Sequence, residues 1–388
     1  MQPQTEAPRL AANEGRCRSE STEPSWRAHR TPRRFIAHRG VHLHSTIAGE
    51  NSLEAVWLAR RAGFACIETD VRLSADGHFV IMHDESINRT ATHADGREIV
   101  EPVLVAETTL ERLREDYRLR ARGAAQRTPI PTAEEFLVEC ERAGLLPFIE
   151  IKPLDQPAEF YLDLLDLADG ILGRGGYVMT SNGNANRIIR GLDIDDVPMM
   201  DILYQAPSFE DVAALGDVIV AVSATRYEPA EHLALVREAD QAGLWTESHA
   251  DDLGAYAIVD AHGVDLISTD ALAPDLSSHA RILLSESGHE YAAFRHEGIV
   301  EGRTLLLASG ARLAHPRPPR VGFGGVFLEV ELQGACTIRL GSQVLRIESP
   351  ELRRHRHQVM LFDEAAKLIV AAEGECRIHD LRLTVAEY

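Results

Sequence analysis

Residues 66–71 read Cys66-Ile67-Glu68-Thr69-Asp70-Val71. This is a strand-length run that carries two carboxylates two residues apart, so Glu68 and Asp70 share one face of a β-strand. Residues 148–152 repeat the pattern, with Glu150 and Lys152 on one face. In a parallel barrel the intervening residues pack against the outer helices. The polar pairs are then left to the interior near the mouth.

Working outward, short apolar runs alternate with helix-length amphipathic stretches from residue 33 to about 285. The predicted strands are Arg34–His38, Cys66–Val71, Phe148–Lys152, Tyr177–Thr180, Met199–Tyr204, Val218–Val222, Leu244–Glu247 and Val264–Ser268. Helices are predicted over Ser52–Ala62, Thr132–Ala143, Pro157–Leu172, Ala230–Ala242 and Leu253–His262. Thr132-Ala133-Glu134-Glu135 is a capping-box pattern that sets a helix start. Eight such units over about 250 residues match a TIM (β/α)8 barrel. Periodicity leaves a doubly wound open sheet as the rival.

Helical periodicity fades beyond about residue 288. Short runs such as Val326–Leu332, Cys336–Leu340, Val344–Ile347, Gln358–Phe362, Leu368–Ala372 and Ile378–Val385 alternate with Gly, Ser, Pro and Asp. They predict an all-β, sandwich-like domain. The expected division is a disordered tail over 1–32, rich in Pro, Ser, Glu and Arg, a barrel over 33–285 and a β-domain over 286–388.

The chain has 388 residues, 45% of them apolar, and a formal net charge of −20. That charge argues against nucleic acid and anionic membrane as general partners. It would also repel an anionic substrate, so a phosphate site needs a local cation. The five cysteines are scattered with no C-x-x-C pair, which disfavours a disulfide framework or structural zinc and suits a reducing compartment. The sequence has no apolar leader and no 18-residue apolar run. Cytoplasmic localisation without a membrane span is the expectation, with a non-Sec export route left open.

Four clusters fall at strand ends or in the loops that follow: His38-Arg39-Gly40, Glu68-Thr69-Asp70, His83-Asp84 and Glu150-Ile151-Lys152. In a parallel barrel that is the face where active sites assemble. Converging carboxylates repel, and a divalent cation relieves the conflict. Oxygen ligands favour Mg²⁺, Ca²⁺ or Mn²⁺ over zinc. Glu68, Asp70 and Glu150 are the expected metal ligands. Arg39 and Lys152 suit phosphate oxygens, and His38 and His83 supply two proton carriers that titrate near neutrality. Lys152 as a plain salt-bridge partner of Glu150 is the competing view. Glu50 is read equally as a metal contact or a helix cap. Asp84 is expected to orient His83 or the loop backbone rather than bind metal, Asp270 to stabilise the barrel rim, and His42 and His44 to be loop residues. The run Arg353–His357 is expected to be a solvated strand face, with anion binding as the alternative.

The run His38-Arg39-Gly40, Glu50-Asn51-Ser52, Glu68-x-Asp70-Val71, Asp76-Gly77 and His83-Asp84 resembles the glycerophosphodiester phosphodiesterases. The likeness continues through Arg89-Thr90, Ile130-Pro131-Thr132, Glu150-Ile151-Lys152, Trp245-Thr246 and Thr269-Asp270. The resemblance implies a TIM barrel and a divalent metal on Glu68, Asp70 and Glu150. It implies His38 and His83 as the acid–base pair, with Arg39 and Lys152 on phosphate. The implied chemistry is attack of the glycerol 2-hydroxyl on phosphorus, then opening of a cyclic phosphate by water. The products are an alcohol and glycerol 3-phosphate, which places the enzyme in glycerol and lipid metabolism. The chain departs from the family where Trp-Thr-Val-Asn reads Trp245-Thr246-Glu247-Ser248, and where Ser-Phe reads Ser181-Asn182. Both lie where the non-phosphate part of a substrate would sit. Trp245 is the candidate substrate wall there, with a core aromatic as the alternative. Two other functions compete: a phospholipase D-like lyase on the same barrel, and a phosphoglycan- or carbohydrate-binding protein that uses the C-terminal domain. A glycan ligand for that domain is set against a structural or dimerising appendage.

Overall fold

Strand β1 (Phe35–Ala37) decides between the two predicted architectures, because it has a parallel partner on each side. In this computed structural model it pairs with β2 (Cys66–Leu73) and also with β8 (Leu266–Thr269), which closes the sheet. Between these run β3 (Leu146–Ile151), β4 (Val178–Ser181), β5 (Met199–Ile202), β6 (Val218–Ala221) and β7 (Trp245–His249). Each pairs with the next in parallel register, and β2 pairs with β3. The chain is therefore a (β/α)8 barrel and not an open sheet. The described residues are 35–122, 128–153, 156–181, 185–194, 196–202, 209–214, 216, 218–274, 277, 280–287 and 291–388. The predicted tail over 1–32, Arg34 and Asn182 lie outside them.

Helices α1 (Leu53–Ala62), α2 (Ala133–Ala143), α3 (Ala158–Leu172), α4 (Ala185–Gly191), α5 (Phe209–Ala213), α6 (Pro229–Gln241) and α7 (Leu253–Ala261) follow β1 to β7 in turn. Local sequence sets their ends. The Ser52 side chain accepts the N–H of Ala55 at the start of α1, and Gly63 ends it in the left-handed region at φ 93°. The Thr132–Glu135 capping box forms in full and starts α2. Inside the barrel, Ile36, Phe148, Val178, Met200, Ile219 and Leu266 form a closed apolar layer below the mouth. Apolar contact of this kind keeps the interior a packed core rather than a pore.

Between β2 and α2 the chain makes a long excursion with its own small core of Val80, Met82, Ile87, Leu113, Tyr117 and Ile130. A short strand, Phe79–Ile81, folds back antiparallel on β2 through the Asp76-Gly77 turn. This excursion carries His83 to the mouth.

Among the described residues, the C-terminal region forms one curled antiparallel sheet of eight strands. Three of them are long: β9 (Arg320–Leu340), β10 (Gln343–Ala365) and β11 (Leu368–Glu387). The pairs of short runs read from the sequence merge into these, because what separates them (Gly334 in β9, Ser349-Pro350 in β10 and Gly374 in β11) makes bulges and not turns. The register of β9 shifts between Leu332 and Gly334, and Gly334 sits at φ 112°. The expected boundary at 285/286 falls inside a strand, Arg281–Ser287, that pairs with β11, so the sheet starts at residue 281. Barrel and sheet share one continuous apolar core, and Met360 N donates to Ala271 O across the junction at 2.9 Å.

Candidate active site

The carboxyl ends of the strands open into a cavity of about 290 Å³ lined by His38, Arg39, Glu68, His83, Glu150 and Lys152, among others. The structure thus brings together His38, His83, Arg39, Lys152, Glu68 and Glu150, with Asp70 behind them.

Glu68, Asp70 and Glu150 are buried, and each offers an oxygen within 4.8 Å of the others. Each also uses one oxygen to fix itself. Glu68 Oε2 accepts Arg39 N at 2.9 Å, Asp70 Oδ2 accepts Asn51 Nδ2 at 2.7 Å, and Glu150 Oε1 accepts Lys152 Nζ at 2.5 Å. Glu68 Oε1 has no hydrogen-bond partner. Asp70 Oδ1 lies 3.0 Å from Lys152 Nζ but out of line for a hydrogen bond. Burial, with Asp70 and Glu150 beside it, pushes the Glu68 carboxyl well above the usual range, and burial also raises Glu150. Burial would raise Asp70 too, but Lys152 and Arg39 hold it below its ordinary value. A site whose carboxylates are held rigidly, with two oxygens lacking a hydrogen bond and protonation favoured at Glu68 and Glu150, is what a hard divalent cation fits. These three residues would hold it.

Asn51 anchors this cluster. It sits at φ 59°, its N–H bonds Arg39 O at 2.9 Å, and its side-chain oxygen accepts Thr69 Oγ1 at 2.9 Å. Next to it, Gly40 is at φ 75°, and a Cβ there would stand 2.6 Å from Ala55 Cβ. Only glycine lets the His38-Arg39-Gly40 turn approach α1 so closely. Glu50 is neither cap nor free ligand. Its oxygens are taken by Arg39 at 3.2 Å and by Arg89 at 2.6 and 2.7 Å.

Both histidines are oriented by carboxylates. His83 Nδ1 lies 2.6 Å from Asp84 Oδ1, and His38 Nδ1 lies 2.8 Å from Asp270 Oδ1. Burial would raise Asp84, yet its bonds to Arg89 and His83 hold it down at about 2. His38 likewise draws Asp270 well below the usual range against its burial. Both carboxylates are therefore ionised and can only accept, so each imidazole carries its proton on Nδ1 and presents Nε2 away from its aspartate. Burial keeps His83 below its ordinary value, helped by Lys152 and Arg39 and opposed by Asp70 and Asp84. Asp270 thus holds a histidine directly, beyond the rim role expected of it.

Lys152 bridges Asp70 and Glu150, and its charge is reinforced by them despite burial. Arg39 is likewise held charged by Asp70, Glu68 and Glu50 against its burial. Trp245 does not line the cavity. It opens β7 at the amino-terminal end and packs against the apolar layer below the mouth, because residues 245, 247 and 249 share a face and only the later two reach the mouth.

Sequence reasoning missed His249. Its ring meets that of His38 edge-on at 4.7 Å, its Nε2 lies 2.6 Å from Asp251 Oδ2, and its Nδ1 lies 3.1 Å from Ser268 Oγ. Asp251, Asp270 and Glu247 raise its pKa against burial. Buried Glu247 accepts from Ser268 N at 3.2 Å and from Ser268 Oγ, while burial raises its own pKa. The signal was the alternation along Trp245–His249, which puts Glu247 and His249 on the mouth face.

A closed parallel barrel with its polar cluster at the carboxyl ends of the strands defines the class: a (β/α)8-barrel protein with an acidic, bis-histidine mouth. The chain belongs to the glycerophosphoryl diester phosphodiesterase family, whose model matches residues 38–271. It is 35% identical over 122 residues to the mouse protein Glycerophosphodiester phosphodiesterase 1, a match covering 30% of this chain and 33% of that protein. It is 35% identical over 120 residues to the Glycerophosphodiester phosphodiesterase of Caldanaerobacter subterraneus subsp. tengcongensis, covering 30% of this chain and 44% of the relative. The matched segments thus span less than half of these relatives. Among solved structures, an Oleispira antarctica phosphodiesterase in complex with the product sn-glycerol-3-phosphate superposes with a TM-score of 0.50. It is 22% identical and covers 62% of this chain and 93% of its own.

Proposed function

We propose that the protein hydrolyses a glycerophosphodiester, with a divalent metal bound, to an alcohol and glycerol 3-phosphate. The observation that carries the reading is the pair of Asp–His dyads, His38–Asp270 and His83–Asp84, on a cavity floored by three buried carboxylates and two cations. A divalent cation on Glu68, Asp70 and Glu150, with Mg²⁺, Ca²⁺ and Mn²⁺ as the candidates, would supply charge neutralisation at the phosphate.

Arg39 and Lys152 orient the phosphodiester through its non-bridging oxygens. One imidazole Nε2 takes the proton of the glycerol 2-hydroxyl as its oxygen bonds to phosphorus. The other gives a proton to the alcohol oxygen as its bond to phosphorus breaks. Water then opens the cyclic phosphate with the two roles reversed. The cavity of about 290 Å³, with His38, Arg39, His83 and Lys152 on its wall, suits a small diester such as glycerophosphocholine or glycerophosphoethanolamine. No described helix is long and apolar enough to cross a membrane.

The test is a panel of glycerophosphodiesters with product identification, run with and without EDTA. Glycerol 3-phosphate and free alcohol are expected. Activity should be abolished by the chelator and should fall at least about 100-fold in His83→Ala, the scale of a lost acid–base group. An unchanged rate in that variant removes His83 from the mechanism, and a cyclic phosphate as the final product would make the enzyme a lyase.

A further inference from the structure

The family match ends at residue 271, so the C-terminal sheet lies outside it. Yet one hairpin of that sheet touches the loop after β7, next to the residues that hold His38. Strands β9 and β10 are joined by Gly341-Ser342, and Leu340 pairs with Gln343 across the turn. Gly341 is at φ 60°, its N–H bonds Lys367 O at 2.8 Å, and a Cβ on it would meet Leu361 Cδ2 at 2.7 Å. The tip is therefore fixed in place.

From this tip the Gln343 side chain makes two hydrogen bonds to the loop after β7. Its Oε1 accepts Leu253 N at 3.2 Å, and its Nε2 donates to Asp251 O at 3.0 Å. Leu253 is the first residue of α7, so its N–H has no partner within the helix and needs an external acceptor. Asp251 in turn holds the catalytic side. Its Oδ1 accepts Asp270 N at 2.7 Å, and its Oδ2 bonds His249. On the far side of Asp270, Met360 of β10 donates to Ala271 O at 2.9 Å. The backbone of Asp270, whose carboxylate holds His38, is thus fixed through its amide N–H and through the carbonyl of Ala271, and both routes lead back to β10.

We infer that Gln343 is a positioning residue: the C-terminal sheet uses it to fix Asp251 and, through Asp270, the orientation of the His38 imidazole. The inference rests on the reading of His38 as a proton carrier. Reacting groups displaced by about 1 Å can lose about 100-fold in rate, so a rigid external brace on a loop-borne aspartate has a kinetic consequence.

The test uses the full chain with Gln343→Met, which keeps side-chain length and loses both hydrogen bonds, and Gln343→Glu, which keeps the acceptor for Leu253 N and loses the donor to Asp251 O. With glycerophosphocholine and saturating metal, Gln343→Met is expected to lower kcat by about tenfold, the range seen when a supporting hydrogen bond is removed. KM should stay within about twofold. The loss should largely disappear in an Asp270→Asn background, because both changes act on one chain of contacts. A second readout does not need activity. The His38 Nδ1–H proton resonance, identified by its absence in His38→Asn, should broaden or move upfield in Gln343→Met at a temperature where circular dichroism shows the variant folded. Gln343→Glu should shift it in the same direction if the methionine variant fails to fold. An unmoved resonance, or an undiminished tenfold loss in the Asp270→Asn background, would overturn the role of Gln343. A wild-type chain that cleaves no diester would defeat the proposed activity, while the resonance would still decide the bracing.

Discussion

An imidazole protonated on Nδ1 offers its Nε2 lone pair on the opposite side of the ring, and the choice is made by what Nδ1 faces. At His83 that partner is Asp84, kept ionised at about 2 by Arg89 and by His83 itself. Replacing Asp84 with Asn puts an amide against Nδ1 that can donate, which favours the wrong tautomer. Asp84→Asn is expected to lower kcat by at least about 100-fold, as the loss of an orienting aspartate does elsewhere, with KM little changed. Steady-state kinetics at saturating metal decide it, and a loss under threefold would mean that the dyad does not set the tautomer. Glu68 poses the opposite problem. Its folded pKa is raised, so above the ordinary carboxylate range the folded chain binds a proton that the unfolded chain has released. Stability therefore falls as pH rises through that window. Glu68→Gln removes this cost, and in EDTA at pH 7.5 it should raise Tm by on the order of 2 °C. It should also abolish the Tm increase that Mg²⁺ gives the wild type. A variant that still gains stability with Mg²⁺ would take Glu68 out of the ligand set.

At the scale of elements, what could be read in advance followed from period and spacing. The two-residue spacing in β2 and β3 placed Glu68, Asp70, Glu150 and Lys152 on the mouth face, and the Thr132–Glu135 box set the start of α2. His249 was not legible because its meaning lies in packing. It acquires a role only where β7 passes β8 and its ring meets His38 from the other end of the barrel sequence. Trp245 lies outside the cavity lining for a related reason, since alternation gives the face but not the depth along the strand. The long sheet strands were hidden because a Gly or Ser-Pro in a bulge looks the same in sequence as one in a turn. Within β10, the run Arg353–His357 was read as a solvated face. The arginines are exposed, with Arg356 paired to Glu329 at 3.0 Å, but His357 turns inward and is buried with neither ring nitrogen bonded. Burial, with His355 beside it, pushes His357 down to about 4. Between about 6.5, where a free histidine titrates, and about 4, only the unfolded chain takes up this proton. Stability should therefore drop as pH falls through that window, by up to about 3 kcal/mol. His357→Leu should remove that share. Urea midpoints at pH 7 and pH 4.5 measure it, and an equal acid-induced loss in both proteins would exclude His357 as the source.

At the scale of the whole molecule, two fields act on an anionic diester in opposite directions. The cavity is lined by Arg39 and Lys152, but both are paired with carboxylates at short range, so little of their charge reaches beyond the mouth. The chain as a whole carries a formal charge of −20, and at low ionic strength that field extends well past the surface. The screening length is about 30 Å at 0.01 M salt and about 8 Å at 0.15 M. The long-range repulsion is thus removed by modest salt, while the contacts inside the cavity are screened much less. With metal held saturating, kcat/KM for glycerophosphocholine should therefore rise about two- to threefold between 10 and 150 mM KCl, and kcat should stay flat, because salt alters encounter and not the bound state. A kcat/KM that falls over that range would show that the cations of the mouth outweigh the global charge at a distance, and that substrate is steered in rather than held off.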